Sequence, residues 1–205
     1  MIRSRSAQAD TAGVRTRATK VVSIVGMAGA GKSAVARLFE RAGFARIRFG
    51  DITDQELERR GLIPNEENER YVRQQLRQEH GMSAYAKLNL SRIEAALRSS
   101  DVVVDGLYSW EEYIFLKDRL GDRLALVAVW ASAQTRHGRL GTRRQRPLTA
   151  REAYGRDRDE IEKGNKGGPI AIADFLIVNE GPFEHLEKEA QRVLSVLGEH
   201  DPTRT

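Results

Sequence analysis

Short apolar runs alternate with amphipathic segments along most of the chain. These runs are too short for helices and predict strands, and the continuous apolar run at residues 21–25 predicts a strand buried on both faces of a parallel sheet. The predicted strands cover residues 21–25, 44–49, 102–104, 124–130 and 175–178. Strands that alternate with helices are typical of an α/β sandwich built on a parallel sheet.

The segments between these strands show helical spacing and cap signals. The predicted helices cover residues 32–41, 51–61, 65–80, 83–99, 110–117, 149–163 and 183–197. Asp51, Asn65, Ser83 and Thr149 stand where side chains cap helix N-termini. Residues 164–169 are predicted to form a loop. Because residues 51–100 exceed what one crossover needs, we expect them to form a helical insertion.

The turn after the first strand carries the strongest motif. It comprises Gly26, Met27, Ala28, Gly29, Ala30, Gly31, Lys32 and Ser33. This spacing matches the P-loop pattern G-x-x-x-x-G-K-[ST], and it lies between a predicted strand and a predicted helix. Glycines allow consecutive N–H groups to face phosphate oxygens, while Lys32 can reach the β- and γ-phosphates and Ser33 can ligate Mg²⁺. The turn therefore predicts ATP and Mg²⁺ as cofactors.

Asp105 ends the third predicted strand, where a second Mg²⁺-shell residue is expected. The alternative is that Asp105 simply begins a turn with Gly106. Glycine at position 106 replaces the glutamate that would activate water, which favours phosphoryl transfer to a substrate over hydrolysis. Residues 165–168 begin like a guanine-binding motif, but Gly168 replaces its aspartate, so a GTPase is disfavoured.

Two further features are candidates for catalysis. Residues 132–148 are rich in arginine and follow the fourth strand, so they could close as a lid over the transferring phosphoryl group. Arg139 and Arg143 are the best candidates, because they are predicted to lie four apart on one helical face; a solvated helix face is the alternative. Asp51 could orient an acceptor hydroxyl or act as a weak general base, a role compatible with capping.

Composition narrows the function classes. The chain has 205 residues and no cysteine, which excludes disulfides, thiolate metal sites and thiol catalysis. We find no apolar run of membrane-spanning length and no signal-peptide core, so a cytoplasmic protein without a membrane partner is expected. Of the net charge of +5, residues 1–20 carry +4 from five basic residues and one acidic residue, which leaves +1 elsewhere.

This charge distribution bears on nucleic-acid binding. Most of this basic charge lies within residues 1–19, which are predicted to form a disordered tail. Residues 199–205 are predicted to form a C-terminal tail. A nucleic-acid-binding arm is the alternative, but no aromatic residues accompany the arginines. The body, residues 20–198, is nearly neutral, so a nucleic-acid partner is not expected.

The motifs GMAGAGKS, RFGD and VVVDG occur here in that order. With them the chain resembles the nucleotide-kinase branch of P-loop proteins, which includes adenylate kinase and dephospho-CoA kinase. It most resembles a group of kinase-like microbial proteins described as dephospho-CoA-kinase-like or AAA family. That group shares FGD, here residues 49–51, and NKGGPIAIADFLIVNEG, here residues 165–181. The likeness covers about residues 20–198.

The resemblance implies a three-layer sandwich with five parallel strands in the order 2-3-1-4-5. It implies that the P-loop binds the ATP phosphates, that Asp105 serves the Mg²⁺ shell and that Asp51 lies in the acceptor pocket. It also implies backbone contacts to adenine from Asn179, Glu180 and Gly181. Asp54 replaces an arginine common in such kinases, and residues 107–109 lack another. Both differences argue against a nucleoside monophosphate acceptor.

Together these features predict ATP- and Mg²⁺-dependent phosphoryl transfer to a small-molecule acceptor that is nucleotide-like or dephospho-CoA-like. Lys32, Asp51, Arg139 and Arg143 are the expected catalytic residues. The alternative is an ATP-binding regulator with little turnover that touches nucleic acid through its basic tail. Both interpretations stay open at this point.

Overall fold

Five parallel strands form the centre of the computed structural model, which describes residues 19–199. They are β1 (Val21–Val25), β2 (Ala45–Arg48), β3 (Val102–Asp105), β4 (Leu124–Trp130) and β5 (Phe175–Val178). Their order is β2-β3-β1-β4-β5, and every neighbouring pair is parallel. The sheet implied by the resemblance is therefore confirmed. The predictions on residues 1–18 and 200–205 lie outside the described residues.

Nine α-helices accompany the sheet within residues 19–199. They are α1 (Lys32–Arg41), α2 (Asp51–Arg59), α3 (Glu66–His80), α4 (Ala84–Ala96), α5 (Trp110–Leu120), α6 (Ala133–Thr142), α7 (Ala150–Glu162), α8 (Gly167–Ala171) and α9 (Phe183–Glu199). None of these helices combines the length and apolar character needed for a bilayer crossing. The loop predicted at 164–169 is partly wrong, because α8 begins at Gly167. Pro169 is tolerated there since the first helical turn needs no N–H donor.

Two apolar clusters make the three layers. On one face of the sheet, Val22 and Ile24 of β1 pack with Phe39 of α1 and with α9. On the other face, Val21 and Val25 pack with helices α2 to α5. Successive residues of β1 point to opposite faces, and both faces are covered, so its nearly continuous apolar run is explained.

The predicted caps have mixed outcomes. The side chain of Asn65 accepts a hydrogen bond from the N–H of Asn68, and Thr149 forms a capping box with Glu152, so both caps are confirmed. The capping prediction for Asp51 is wrong, because Gly50 occupies the cap position and makes no side-chain bond. Ser83 occupies its cap position, but its side chain makes no capping bond.

A buried arginine ties α6 and α7 to the P-loop. Arg136 is 6% exposed, and its guanidinium binds both carboxylate oxygens of Asp157, at 2.6 and 2.7 Å. It also donates to the backbone oxygen of Ala28 at 3.0 Å. Leu140, Leu148 and Ala153 pack with Ala28 in a small apolar cluster. The segment predicted as a lid is thus anchored on the turn after β1.

We predict that Arg136→Ala lowers the free energy of unfolding by about 3 kcal/mol, since Asp157 would lose its buried partner. Urea denaturation measures this. Arg192→Ala is the matched control, because Arg192 is half-exposed and pairs only at the surface with Glu189. We expect it to cost less than about 1 kcal/mol. Equal losses in the two variants would contradict a structural role for the Arg136 clamp.

Candidate functional site

The turn between β1 and α1 has a conformation that only glycine accommodates at two of its positions. Gly26 has φ 143° and Gly29 has φ 79°. A Cβ atom at Gly26 would lie 2.3 Å from the backbone oxygen of Val129, and one at Gly29 would lie 2.6 Å from that of Arg136. The turn therefore packs directly against β4 and α6, and a glycine-rich turn that leads into a helix N-terminus is a typical anion-binding site.

Lys32 opens α1 directly after this turn. Its ammonium group donates to the backbone oxygen of Met27 at 3.0 Å, within the P-loop itself. Burial lowers the pKa of Lys32, and the nearby carboxylates of Glu160 and Asp105 oppose that shift. The lysine and the positive end of the α1 dipole thus share one small region.

Ser33 and Asp105 meet beside the turn, because β1 and β3 are neighbours. The Ser33 hydroxyl donates to Oδ1 of Asp105 at 3.1 Å, while the Arg46 guanidinium binds Oδ2 at 2.5 Å. Mg²⁺ in such sites takes one or two protein oxygens and completes its shell with phosphates and water. The hydroxyl and Oδ1 fit that requirement. Residues 19–199 contain no cluster of three or more His, Asp or Glu side chains that could hold a metal ion.

The Arg46 contact was missed from the sequence. Arg46 lies on β2, next to β3, and its side chain reaches across to Asp105. In the sequence, neither the nearly neutral charge of residues 20–198 nor Asp105 itself indicates that an arginine pairs with this carboxylate. Asp105 therefore already has one positive neighbour before any metal is considered.

The turn after β5 contacts the P-loop through Asn179. Asn179 donates from its side chain to the backbone oxygen of Ala30 at 2.8 Å. The Glu180 carboxylate accepts hydrogen bonds from the N–H of Ser132 and the hydroxyl of Thr135, and Gly181 follows it. These contacts place residues 179–181 beside the P-loop and the start of α6.

The two candidate lid arginines separate in the structure. Arg139, on α6, donates to the backbone oxygen of Asn179 at 3.0 Å. Arg143 follows the end of α6 in an extended conformation, and its Nε donates to the backbone oxygen of Arg146. The prediction that both lie on one helical face is therefore wrong, because the helix ends at Thr142.

Asp51 lies at the edge of the acceptor side. Its carboxylate accepts from Arg48 at 3.0 Å and from Arg92 at 3.3 Å. Asp51 is the first residue of α2, and its carboxylate is used by these two arginines. Asp54 lies one turn further and binds Arg48 and Arg146. Asp54, and not Asp51, lines the cavity described next.

A cavity of about 130 Å³ opens between α2, α3 and α7. Eight basic and five acidic side chains line it, so its wall carries a net charge of +3. Arg146 binds Glu69 at 2.6 Å, and Arg156 binds Glu66 at 2.5 Å. Ion pairs therefore connect α7 and the segment after α6 to α3. Their partners are about 80 to 90 residues apart in the chain, so no local pattern predicts them.

Tyr108 forms part of the cavity wall. Its backbone N–H donates to the Glu112 carboxylate at 2.7 Å, and the Ser109 side chain caps α5. Burial raises the pKa of Glu112 to about 7, although this N–H and Arg77 oppose the shift. The start of α5 thus fixes a tyrosine ring beside β2 and β3.

One carboxylate from the cavity wall reaches the P-loop itself. Oε2 of Glu160, on α7, accepts from the N–H of Ala28 at 3.0 Å and from the Lys166 ammonium at 2.9 Å. Lys166 is 2% exposed and precedes α8. Neither residue stood out as a site residue in the sequence, although Lys166 belongs to the shared segment 165–181.

The family model that matches the chain is described as an AAA domain and covers residues 22–163. Curated relatives called UPF0200 protein match over most of their length. The relative from Aeropyrum pernix is 40% identical over 178 residues, covering 86% of this chain and 92% of the relative. The relative from Thermococcus sibiricus is 34% identical over 182 residues, covering 87% and 95%.

Solved structures with the same fold include a shikimate kinase and a gluconokinase. Shikimate kinase from Acinetobacter baumannii, in complex with shikimate, aligns with a TM-score of 0.57 at 17% identity, covering 91% of this chain and 97% of that one. A gluconokinase from Sinorhizobium meliloti 1021 aligns with a TM-score of 0.57 at 16% identity, covering 89% and 95%. At these identities the likeness shows the P-loop kinase fold alone. By its sequence matches, the chain belongs to the AAA-domain family and to the UPF0200 proteins.

Proposed function

We propose that this protein transfers a phosphoryl group from ATP to a small-molecule acceptor in a Mg²⁺-dependent reaction. The observation that supports this proposal best is that the P-loop, with Lys32 and the Ser33–Asp105 pair, adjoins a charged cavity, which Glu160 connects to the N–H of Ala28. A site for a donor triphosphate and a site for an acceptor are thus adjacent.

Each candidate residue has a proposed role in this reaction. The N–H groups of residues 26–33 would hold the phosphates, and Lys32 would neutralise charge on the migrating phosphoryl group. Mg²⁺, held by Ser33 and Asp105, would supply charge neutralisation on the phosphate oxygens. Residues 179–181 would lie along the adenine, with Arg139 beside them.

The acceptor side has its own candidates. Asp51 would act from outside the cavity, by orienting the Arg48 guanidinium that it shares with Asp54 and that lines the cavity. Arg143 would stabilise the transferring phosphoryl group after a movement of the segment after α6. The acceptor class stays nucleotide-like or dephospho-CoA-like, and the +3 wall of the cavity supports an anionic molecule.

Two observations favour transfer over hydrolysis. Gly106 follows Asp105, so no carboxylate stands at the position that would activate water. The neighbours named above are a shikimate kinase and a gluconokinase, whose names state small-molecule acceptors. These points support a kinase over an NTPase that works alone.

We predict ADP formation that depends on an acceptor when the protein is mixed with Mg-ATP and a panel of candidates. The panel includes dephospho-CoA, nucleosides, nucleoside monophosphates, shikimate and gluconate. Lys32→Ala should lower kcat/KM at least about 100-fold, because it removes a donor aimed at transition-state charge. Lys188→Ala, on the exposed side of α9, is the control and should match the wild type.

Two results would count against the kinase. Acceptor-independent ADP formation would indicate an NTPase. ATP binding without turnover across the panel would favour the ATP-binding regulator, for which nucleic acid binding through the basic tail is the separate assay.

We predict that Asp105→Asn raises the Mg²⁺ concentration needed for half-maximal nucleotide binding at least about tenfold. Losing even an outer-shell partner of a metal typically costs 10- to 100-fold in affinity, and a direct ligand should cost no less. Titration of magnesium against a fluorescent ATP analogue measures this, with the exposed Asp118→Asn of α5 as the control. An unchanged magnesium requirement would mean that Asp105 serves only its ion pair with Arg46.

A further inference from the structure

The P-loop holds an anion that belongs to the chain itself. Glu160 reaches from α7 to the N–H of Ala28, the third residue of the turn, at 3.0 Å. A backbone N–H of a P-loop is a donor for phosphate oxygens. A carboxylate therefore occupies a position that the motif reserves for a phosphate ligand.

The surroundings of Glu160 are strongly positive. The Lys166 ammonium lies 2.9 Å from Oε2, and Nε of Arg156 lies 3.4 Å from Oε1. Burial raises the pKa of Glu160, but attraction to Lys166, Arg156 and Lys32 outweighs burial and holds the pKa well below its ordinary value. Three cations and one N–H group thus converge on a single carboxylate.

Lys166 is an unusual member of this cluster, because its side chain is almost fully buried. It adjoins the cavity and lies over the Tyr108 ring at 5.2 Å. Burial lowers its pKa to about 7, and Glu160 opposes the shift. An ammonium group has three N–H donors, and one of them is used by Glu160. The backbone N–H of Lys166 also donates to the backbone oxygen of Glu160 at 3.2 Å, and Asn165 before it has a positive φ of 49°.

We propose that Lys166 binds the terminal phosphoryl group of a nucleoside triphosphate, together with the N–H of Ala28, and that Glu160 occupies this subsite until the triphosphate displaces it. The inference rests on the proposed nucleotide site at the P-loop. It adds a second lysine to that site and assigns a role to the start of segment 165–181.

Charge is the physical reason for displacement. A carboxylate and a phosphoryl group compete for the same N–H and ammonium donors, and two anions at contact distance repel each other. Glu160 and Lys166 both line the cavity that is proposed to hold the acceptor. In the proposed reaction the terminal phosphoryl group must face that cavity. A triphosphate would therefore extend to the Glu160 subsite, whereas a diphosphate would end before it and could bind with Glu160 in place.

The competing explanation is a structural ion pair. In that case Glu160 and Lys166 only fasten α7 and α8 to the turn, and their loss would disturb every nucleotide alike. The ratio of the dissociation constants for Mg-ATP and Mg-ADP separates the two explanations. A change in overall stability cancels from this ratio.

The experiment measures that ratio by competition with a fluorescent nucleotide for the full chain and three variants. Lys166→Met should raise the ATP-to-ADP ratio about tenfold, the value of one charge-assisted hydrogen bond. Glu160→Gln should lower the ratio several-fold, because the neutral amide competes less well with the phosphoryl group. Lys117→Met, an α5 lysine remote from the cavity, should leave the ratio unchanged.

The outcomes are separable. Equal weakening of ATP and ADP in Lys166→Met, or weaker ATP binding in Glu160→Gln, would overturn the proposal. If Lys166→Met does not fold, Glu160→Gln alone decides, since an unchanged or increased ratio overturns the inference. Kinase turnover with unaltered ratios would overturn this inference alone, whereas failure of both nucleotides to bind would overturn the proposed function as well.

Discussion

The turn from β1 into α1 is the constraint on which the rest of the structure depends. Its backbone must curl tightly enough to aim N–H groups at one point, which requires positive φ angles at glycine. The curl is held by close packing, since the turn lies directly against the backbone oxygens of Val129 and Arg136. The apolar β1 fixes where this turn begins, and the sheet order fixes which other residues can approach it.

Strand order explains how distant residues meet at the turn. Because β1 lies between β3 and β4, the carboxyl ends of those strands flank the P-loop, as in other open α/β sheets. Asp105 contacts Ser33 on one side. On the other side, Arg136 after β4 contacts Ala28, and Asn179 after β5 contacts Ala30. Glu160, on helix α7, also contacts the turn, because its carboxylate accepts from the N–H of Ala28.

Opposite charges organise the acceptor side more than apolar packing does. Arg146 pairs with Glu69, and Arg156 pairs with Glu66, both on α3, so ion pairs connect the segments of the cavity wall. Such pairs add little net stability when partly exposed, but they position side chains and discriminate between ligands by charge. An anionic acceptor would exchange places with one of these carboxylates, as we infer for Glu160 at the P-loop.

The fold and the P-loop could be predicted because local patterns in the sequence determine both. Strand periodicity, the glycine spacing and the caps at Asn65 and Thr149 each involve residues a few positions apart. The predicted cap at Asp51 was wrong, and its carboxylate binds Arg48 instead. The predicted helical position of Arg143 was wrong because α6 ends at Thr142. Arg46, Glu160 and Lys166 were missed for a related reason, since their partners come from remote segments brought together by the fold. Composition does not reveal that Lys166, which is followed by two glycines, is buried.

The most direct test of the central claim is calorimetric titration of the folded protein with ATP at millimolar Mg²⁺, in two glycine variants and the wild type. Gly29→Ala puts a Cβ atom 2.6 Å from a backbone oxygen at φ 79°, whereas Gly155→Ala, in α7, meets no atom within 4 Å. Saturable uptake by the wild type and Gly155→Ala, with loss in Gly29→Ala, is the predicted result. Absence of uptake by the wild type, or equal uptake by all three proteins, would contradict a triphosphate site built on this turn.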